Sequence, residues 1–91
     1  MDEDAVILPI THEIDLHFFS PREIPSVVEE YIAAAREKGF REVRLIHGKG
    51  IGVQREIVQS HLKKNPAVES FSDAPTYNGG RGATLAVLKI P

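Results

Sequence analysis

The chain has 91 residues, 42% of them apolar and 26% charged, which is enough for one small domain with a single core and excludes a second domain. It has no cysteine, which excludes disulfides, thiolate zinc sites and a thiol nucleophile. The formal charge of −2 argues against a generally basic nucleic-acid binder, but Asp2, Glu3 and Asp4 carry three of the thirteen acidic charges and leave eleven cations against ten anions elsewhere, compatible with a local basic patch.

Residues 1–5 are expected to be a disordered start and residues 6–91 a single domain, with Val6 to Ile10 extended and confined by Pro9 to an edge or loop. The first strand is expected at about 13–17, where Ile14 and Leu16 alternate with Glu13, Asp15 and His17. Asp15 and His17 then share a face. Ile24, Val27, Val28, Tyr31, Ile32 and Ala35 recur at the spacing of one buried helical face. Ser20 and Glu23 have capping-box spacing, Pro21 suits a first helical position, Pro25 offers a later start, and Gly39 ends the helix. Glu42 to Ile46 reads as the second strand, with Val43 and Leu45 inward.

A second helix is expected over 53–64, with Ile57, Val58 and Leu62 on its apolar arc and Arg55, Glu56, Gln59 and Lys63 opposite. His61 falls inside that arc and is assigned to the core as a half-buried histidine, while His12 is assigned to a loop. Asn65-Pro66 stops the helix, Val68 to Ser72 makes a third strand, and Thr84 to Ile90 makes a fourth whose nearly continuous apolar run places it centrally.

The resulting order, βαβαββ, implies an α/β domain of the two-layer α+β kind, with two helices and a mixed four-stranded sheet. Its first two strands are parallel and its last is antiparallel to the third. That topology brings three short stretches to one edge: Ile14-Asp15-Leu16-His17, Ile46-His47-Gly48-Lys49-Gly50, and Asn78-Gly79-Gly80-Arg81-Gly82-Ala83-Thr84. Open sheets bind ligands at the carboxyl ends of their strands.

Each stretch has chemistry suited to phosphate. Asp15 and His17 stand side by side, about 7 Å apart along a strand, so the carboxylate can orient the imidazole or hold a divalent cation. The same pair also reads as ordinary polar residues on a solvated face. His47 could pass a proton to a leaving oxygen while His17 acts as base, or it could simply brace its turn. In the turn, Gly48, Lys49 and Gly50 offer backbone N–H groups and a cation at a helix N-terminus, an arrangement that also serves a tight strand-to-helix connection. Gly79, Gly80, Arg81 and Gly82 offer the same again, or a flexible loop. Phe18 and Phe19 could stack a base beside the site, although Phe19 also suits a staple at the helix start. The motifs of serine hydrolases, zinc proteases and calcium sensors are missing.

With these motifs in order, the chain resembles the Smr, or small MutS-related, domain, whose Leu-Asp-x-His, His-Gly-x-Gly and Gly-Gly-x-Gly signatures correspond to Ile14 to His17, His47 to Gly50 and Gly79 to Gly82. The resemblance runs from about Glu13 to Ile90, nearly the whole chain. It implies a fold similar to the C-terminal domain of translation initiation factor 3, nucleic-acid binding and, in several members, nicking or endoribonuclease activity. Carried over residue by residue, it implies functional positions at Asp15, His17, His47, Gly48, Lys49, Gly50, Gly79, Gly80 and Gly82. Two departures stand out: Ile14 replaces the usual leucine, and Phe18 replaces a glycine common after the first histidine, which narrows access to the site.

The expected function is therefore an endonuclease acting on DNA or structured RNA, with a non-catalytic nucleic-acid or ribonucleoprotein binding module as the rival and a site for a small phosphorylated ligand as a third. A divalent cation, magnesium or manganese, is the one cofactor considered, for a water nucleophile on DNA. No membrane partner, a monomer and a cytoplasmic location are expected, since no stretch approaches the roughly 18 apolar residues of a membrane span.

Overall fold

Strand β1 (Glu13–Asp15) pairs in parallel with β2 (Glu42–Ile46). β2 in turn pairs antiparallel with β4 (Ala83–Leu88), which pairs antiparallel with β3 (Val68–Asp73). The sheet order is β1-β2-β4-β3, with α1 (Ile24–Glu37) joining β1 to β2 and α2 (Val53–Lys64) joining β2 to β3. The structure is a computed structural model that describes residues 10–48 and 52–90. The expected disordered start, the extended stretch before Ile10, and Lys49, Gly50 and Ile51 lie outside the described residues.

The core forms between one sheet face and the two helices. Val43 and Leu45 of β2 and Ala86 and Leu88 of β4 meet Ile24, Val28, Ile32 and Ala35 of α1 and Val58 and Leu62 of α2. The alternate positions Arg44, Ile46, Leu85 and Val87 point away from the helices and stay half-buried on the open face. β4 lies between β2 and β3, as its apolar run requires, because a strand with two neighbours and a helix layer above it has little surface left for water.

Several boundaries follow from local chemistry. α1 begins at Ile24 rather than at Pro21: the Glu23 carboxylate accepts the Ser20 backbone N–H at 2.9 Å and its hydroxyl at 3.1 Å, which closes a separate turn before the helix. At its other end Phe40 N–H reaches Ala35 C=O and Gly39 N–H reaches Arg36 C=O, the paired bonds of a Schellman stop. β1 ends at Asp15, two residues short of the expected 17, because the Asp15 carboxylate takes the backbone N–H of His17 at 3.1 Å and turns the chain. Asn65 ends α2 by accepting the Ala67 N–H at 2.8 Å.

Candidate functional site

The three motifs meet through backbone hydrogen bonds at the carboxyl ends of β1 and β2. Leu16 N–H donates to Ile46 C=O at 2.6 Å, and His47 and Gly48 N–H both donate to Gly82 C=O, at 3.0 and 2.9 Å. Gly48 also passes so close to the first motif that a Cβ built on it would lie 3.4 Å from His17 Cβ. The convergence read from topology is therefore present, but the side chains divide between the two faces of the sheet.

Asp15 and His17 stand on the open side. The Asp15 carboxylate accepts both the backbone N–H of His17 and its ring Nδ1–H through the same oxygen. A carboxylate can only accept, so Nδ1 carries a proton and donates it. The two side chains are 48 and 42% exposed, so the pair is within reach of a substrate. Burial alone would raise the Asp15 pKa, but the hydrogen bonds from His17 outweigh it and hold the carboxyl below its usual range. The Phe18 ring leans on the imidazole, with centroids 3.9 Å apart.

His47 stands on the other side and is only 3% exposed. It continues the inward alternation of Val43 and Leu45, so its ring enters the layer between sheet and helices. Its Nδ1–H donates to Gly48 C=O at 3.1 Å, and its Nε2 accepts the Thr84 hydroxyl at 2.8 Å. Thr84 Oγ1 accepts a Gln59 amide N–H at 3.0 Å, Gln59 also donates to Asp73 at 3.1 Å, and Arg55 grips the Asp73 carboxylate through two 2.9 Å bonds. Burial disfavours the imidazolium and pulls the His47 pKa down, and the charge of Arg55 adds to this against the opposing pull of the Gly48 carbonyl and Asp73. Hydrogen bonding by Arg55 in turn holds the Asp73 carboxyl low, with Gln59 and the charge of Arg81 contributing.

The third motif is pinned from the open face. Arg44 bridges Asn78 C=O at 3.2 Å and the Glu13 carboxylate at 3.1 Å. Gly79 sits against that guanidinium at φ +108°, where a Cβ would come within 3.0 Å of Ala83 Cβ and 3.1 Å of Arg44 Nη1, so both the backbone angle and the space demand glycine. Arg81 is exposed and lies toward Asp73, at the β3 side of the sheet.

For three of the glycines the expected phosphate cradle needs correction. The N–H groups of Gly48, Gly80 and Gly82 are spent on Gly82, Pro75 and Gly79 carbonyls and serve the fold. On the face of α2 opposite the apolar arc, Arg55 and Gln59 hold Asp73 and Thr84. Thr84 carried a signal, as a polar residue in an apolar strand; Gln59 and Asp73 carried none. His61 is half-buried, as its place in the apolar arc implies. It borders a groove of about 650 Å³ between α1 and α2 that no motif residue lines. Among the described residues no three or more His, Asp or Glu side chains converge as a metal-binding set. Among them, too, no helix is long and apolar enough to cross a membrane.

Comparison with known proteins gives one consistent family. The model of the Smr domain matches residues 14–89. Endonuclease MutS2 of Thermus thermophilus is 38% identical over 77 residues, which is 85% of this chain and 10% of that protein. The crystal structure of the Smr domain of Thermus thermophilus MutS2 superposes with a TM-score of 0.83 at 37% identity, covering 87% of this chain and 99% of that one. YdaL, a stand-alone small MutS-related protein from Escherichia coli, superposes with a TM-score of 0.82 at 28% identity, covering 89% of this chain and 66% of that one. The chain spans about a tenth of the length of the curated MutS2 relatives it matches.

Proposed function

Because the chain belongs to the Smr domain family, we propose that it binds nucleic acid and cleaves its phosphodiester backbone at the edge where Asp15 and His17 stand. One observation carries the reading: Asp15 accepts from His17 Nδ1 in a half-exposed pair, which in the neutral imidazole leaves Nε2 as the proton acceptor. His17 takes the proton of the attacking oxygen, the 2′-hydroxyl of RNA or a water, and the phosphorus–oxygen bond opposite breaks. The leaving oxygen recovers a proton from the imidazolium or from solvent. Arg81 binds the phosphate backbone, and the same phosphate-binding role is proposed for Lys49 in the glycine turn.

His47 takes a different part from the proton transfer expected of it. Sealed from solvent and bonded through both ring nitrogens, it fixes the turn that sets Gly48 against His17. It is a positioning residue, and the glycines shape the loops.

The rival is a binding module without turnover, favoured by the burial of His47, which leaves His17 as the one solvent-open histidine of the motifs. Incubating the protein and His17→Ala with supercoiled plasmid and with structured RNA, each with magnesium or with chelator, separates the readings. The enzyme loses about 10²- to 10⁴-fold in rate while binding persists. Cyclic phosphate ends and resistance of a 2′-deoxy strand would identify the 2′-hydroxyl as nucleophile. Cleavage unchanged in His17→Ala, or no cleavage by the unmodified protein, would remove the enzyme reading.

A further inference from the structure

The chain has four phenylalanines and two tyrosines, and four of these six rings are spent on the fold. Phe19, Phe40 and Phe71 pack against the core, and Tyr31 is buried with its hydroxyl on Thr11 C=O at 2.6 Å. The other two stand almost wholly in water: Phe18 is 87% and Tyr77 91% exposed. Both lie in motif loops, Phe18 directly after His17 and Tyr77 directly before Asn78. A ring that adds nothing to the core costs solubility, and single exposed rings are common, but two flanking one candidate site form a pattern.

Their placement is specific. Phe18 rests one face against the His17 imidazole and leaves the other open, so a base laid on it would sit beside the proposed general base. Tyr77 is tied to the open sheet face through Asn78, whose carbonyl holds Arg44, and Arg44 is two residues from Ile46, the register partner of Asp15. Adjacent strands and a two-residue offset put Arg44 and Asp15 on the order of 8 Å apart. Phe18 thus stands beside the Asp15–His17 pair, and Tyr77 stands in the loop that Arg44 pins to the same open sheet face.

We propose that Phe18 and Tyr77 are stacking platforms for unpaired bases, so that the substrate class of this site is single-stranded nucleic acid or an unpaired segment of a structured strand. This rests on the function proposed above and adds the form of the strand. In a duplex both faces of every base are already covered by neighbours, and a protruding ring gains contact only by forcing a step apart. An unpaired base has its faces free, and any base will do. The platforms thus select strand form rather than sequence.

Fluorescence anisotropy with a labelled strand of about a dozen nucleotides tests this, using the strand alone, annealed to its complement, and with abasic spacers replacing its central bases. The proteins are the unmodified chain, Phe18→Ala, Phe18→Leu, Tyr77→Ala and Tyr77→Leu. The single strand should bind at least ~10-fold tighter than the duplex, and each alanine should weaken it by about 5- to 150-fold, the span of one lost stack. Leucine keeps bulk without a π face and should recover only part of the loss. The abasic strand should bind the unmodified protein at the weakened level and respond to none of the substitutions. Because the rings are exposed, the variants should fold as the unmodified protein does; the abasic comparison needs no variant at all. Equal affinity for duplex and single strand, or variants that bind the single strand normally, would overturn the inference while leaving a His17-dependent cleavage intact. Failure of the unmodified protein to bind any strand at low salt would overturn the proposed function and this inference together.

Discussion

His17 and His47 close neighbouring strands of one sheet, yet one ring is nearly half exposed and the other is sealed in the layer beneath. The cause is register. Asp15 pairs with Ile46, so the position opposite His17 would be Gly48, and His47 falls opposite Leu16, a core residue. A one-residue offset between parallel strands sends one imidazole to the open face and the other inward. The same residue type in two adjacent motifs therefore does two jobs. The outer histidine commits one nitrogen to Asp15 in the open, and the inner one spends both nitrogens holding the loop that the outer one leans on.

Substitutions on the two sides should fail in opposite ways. Asp15→Asn should give the largest effect, a fall in cleavage rate of about 10²- to 10⁴-fold, since the amide no longer compels Nδ1 to keep its proton. Urea denaturation should find its stability within about 0.5 kcal/mol of the unmodified protein. His47→Ala should reverse the pattern, costing about 2–4 kcal/mol of stability through a cavity and an unpaired Gly48 carbonyl and Thr84 hydroxyl, read as a lower urea midpoint.

Acidity sharpens the contrast further. Folding depresses the His47 pKa below its ordinary value of about 6.5, so the unfolded chain takes up that proton first and stability is lost as pH falls from about 6.5 through the folded value. His47→Gln should flatten that part of the stability profile measured by urea midpoints. Thr84→Val keeps the shape of the side chain but removes the donor to His47 and the acceptor for Gln59, and should cost about 1–3 kcal/mol. Arg55→Gln, at the half-exposed end of the network, should cost no more than about 1 kcal/mol in the same assay.

Much of this was legible from residue order. The second helix runs over Val53–Lys64 and the second strand over Glu42–Ile46, the spans their periodicity implies, and the meeting of the three motifs follows from the topology alone. The orientation of His47 was also within reach, because the alternation that buries Val43 and Leu45 extends two positions further. The end of β1 was not legible from alternation, since a side-chain carboxylate captured the N–H that a longer strand would have used. Gln59 and Asp73 gave no sign either. Their roles depend on α2 crossing over β4 to reach β3, which is a fact of packing and leaves no local pattern.

The most direct test of this division of labour compares single-turnover cleavage by His17→Ala and His47→Asn, each corrected for the fraction of folded protein. His17→Ala should lose about 10²- to 10⁴-fold with its fold intact, and His47→Asn should keep most of its rate per folded molecule. Equal catalytic losses in the two folded variants would contradict it, because the buried imidazole would then be taking part in the chemistry.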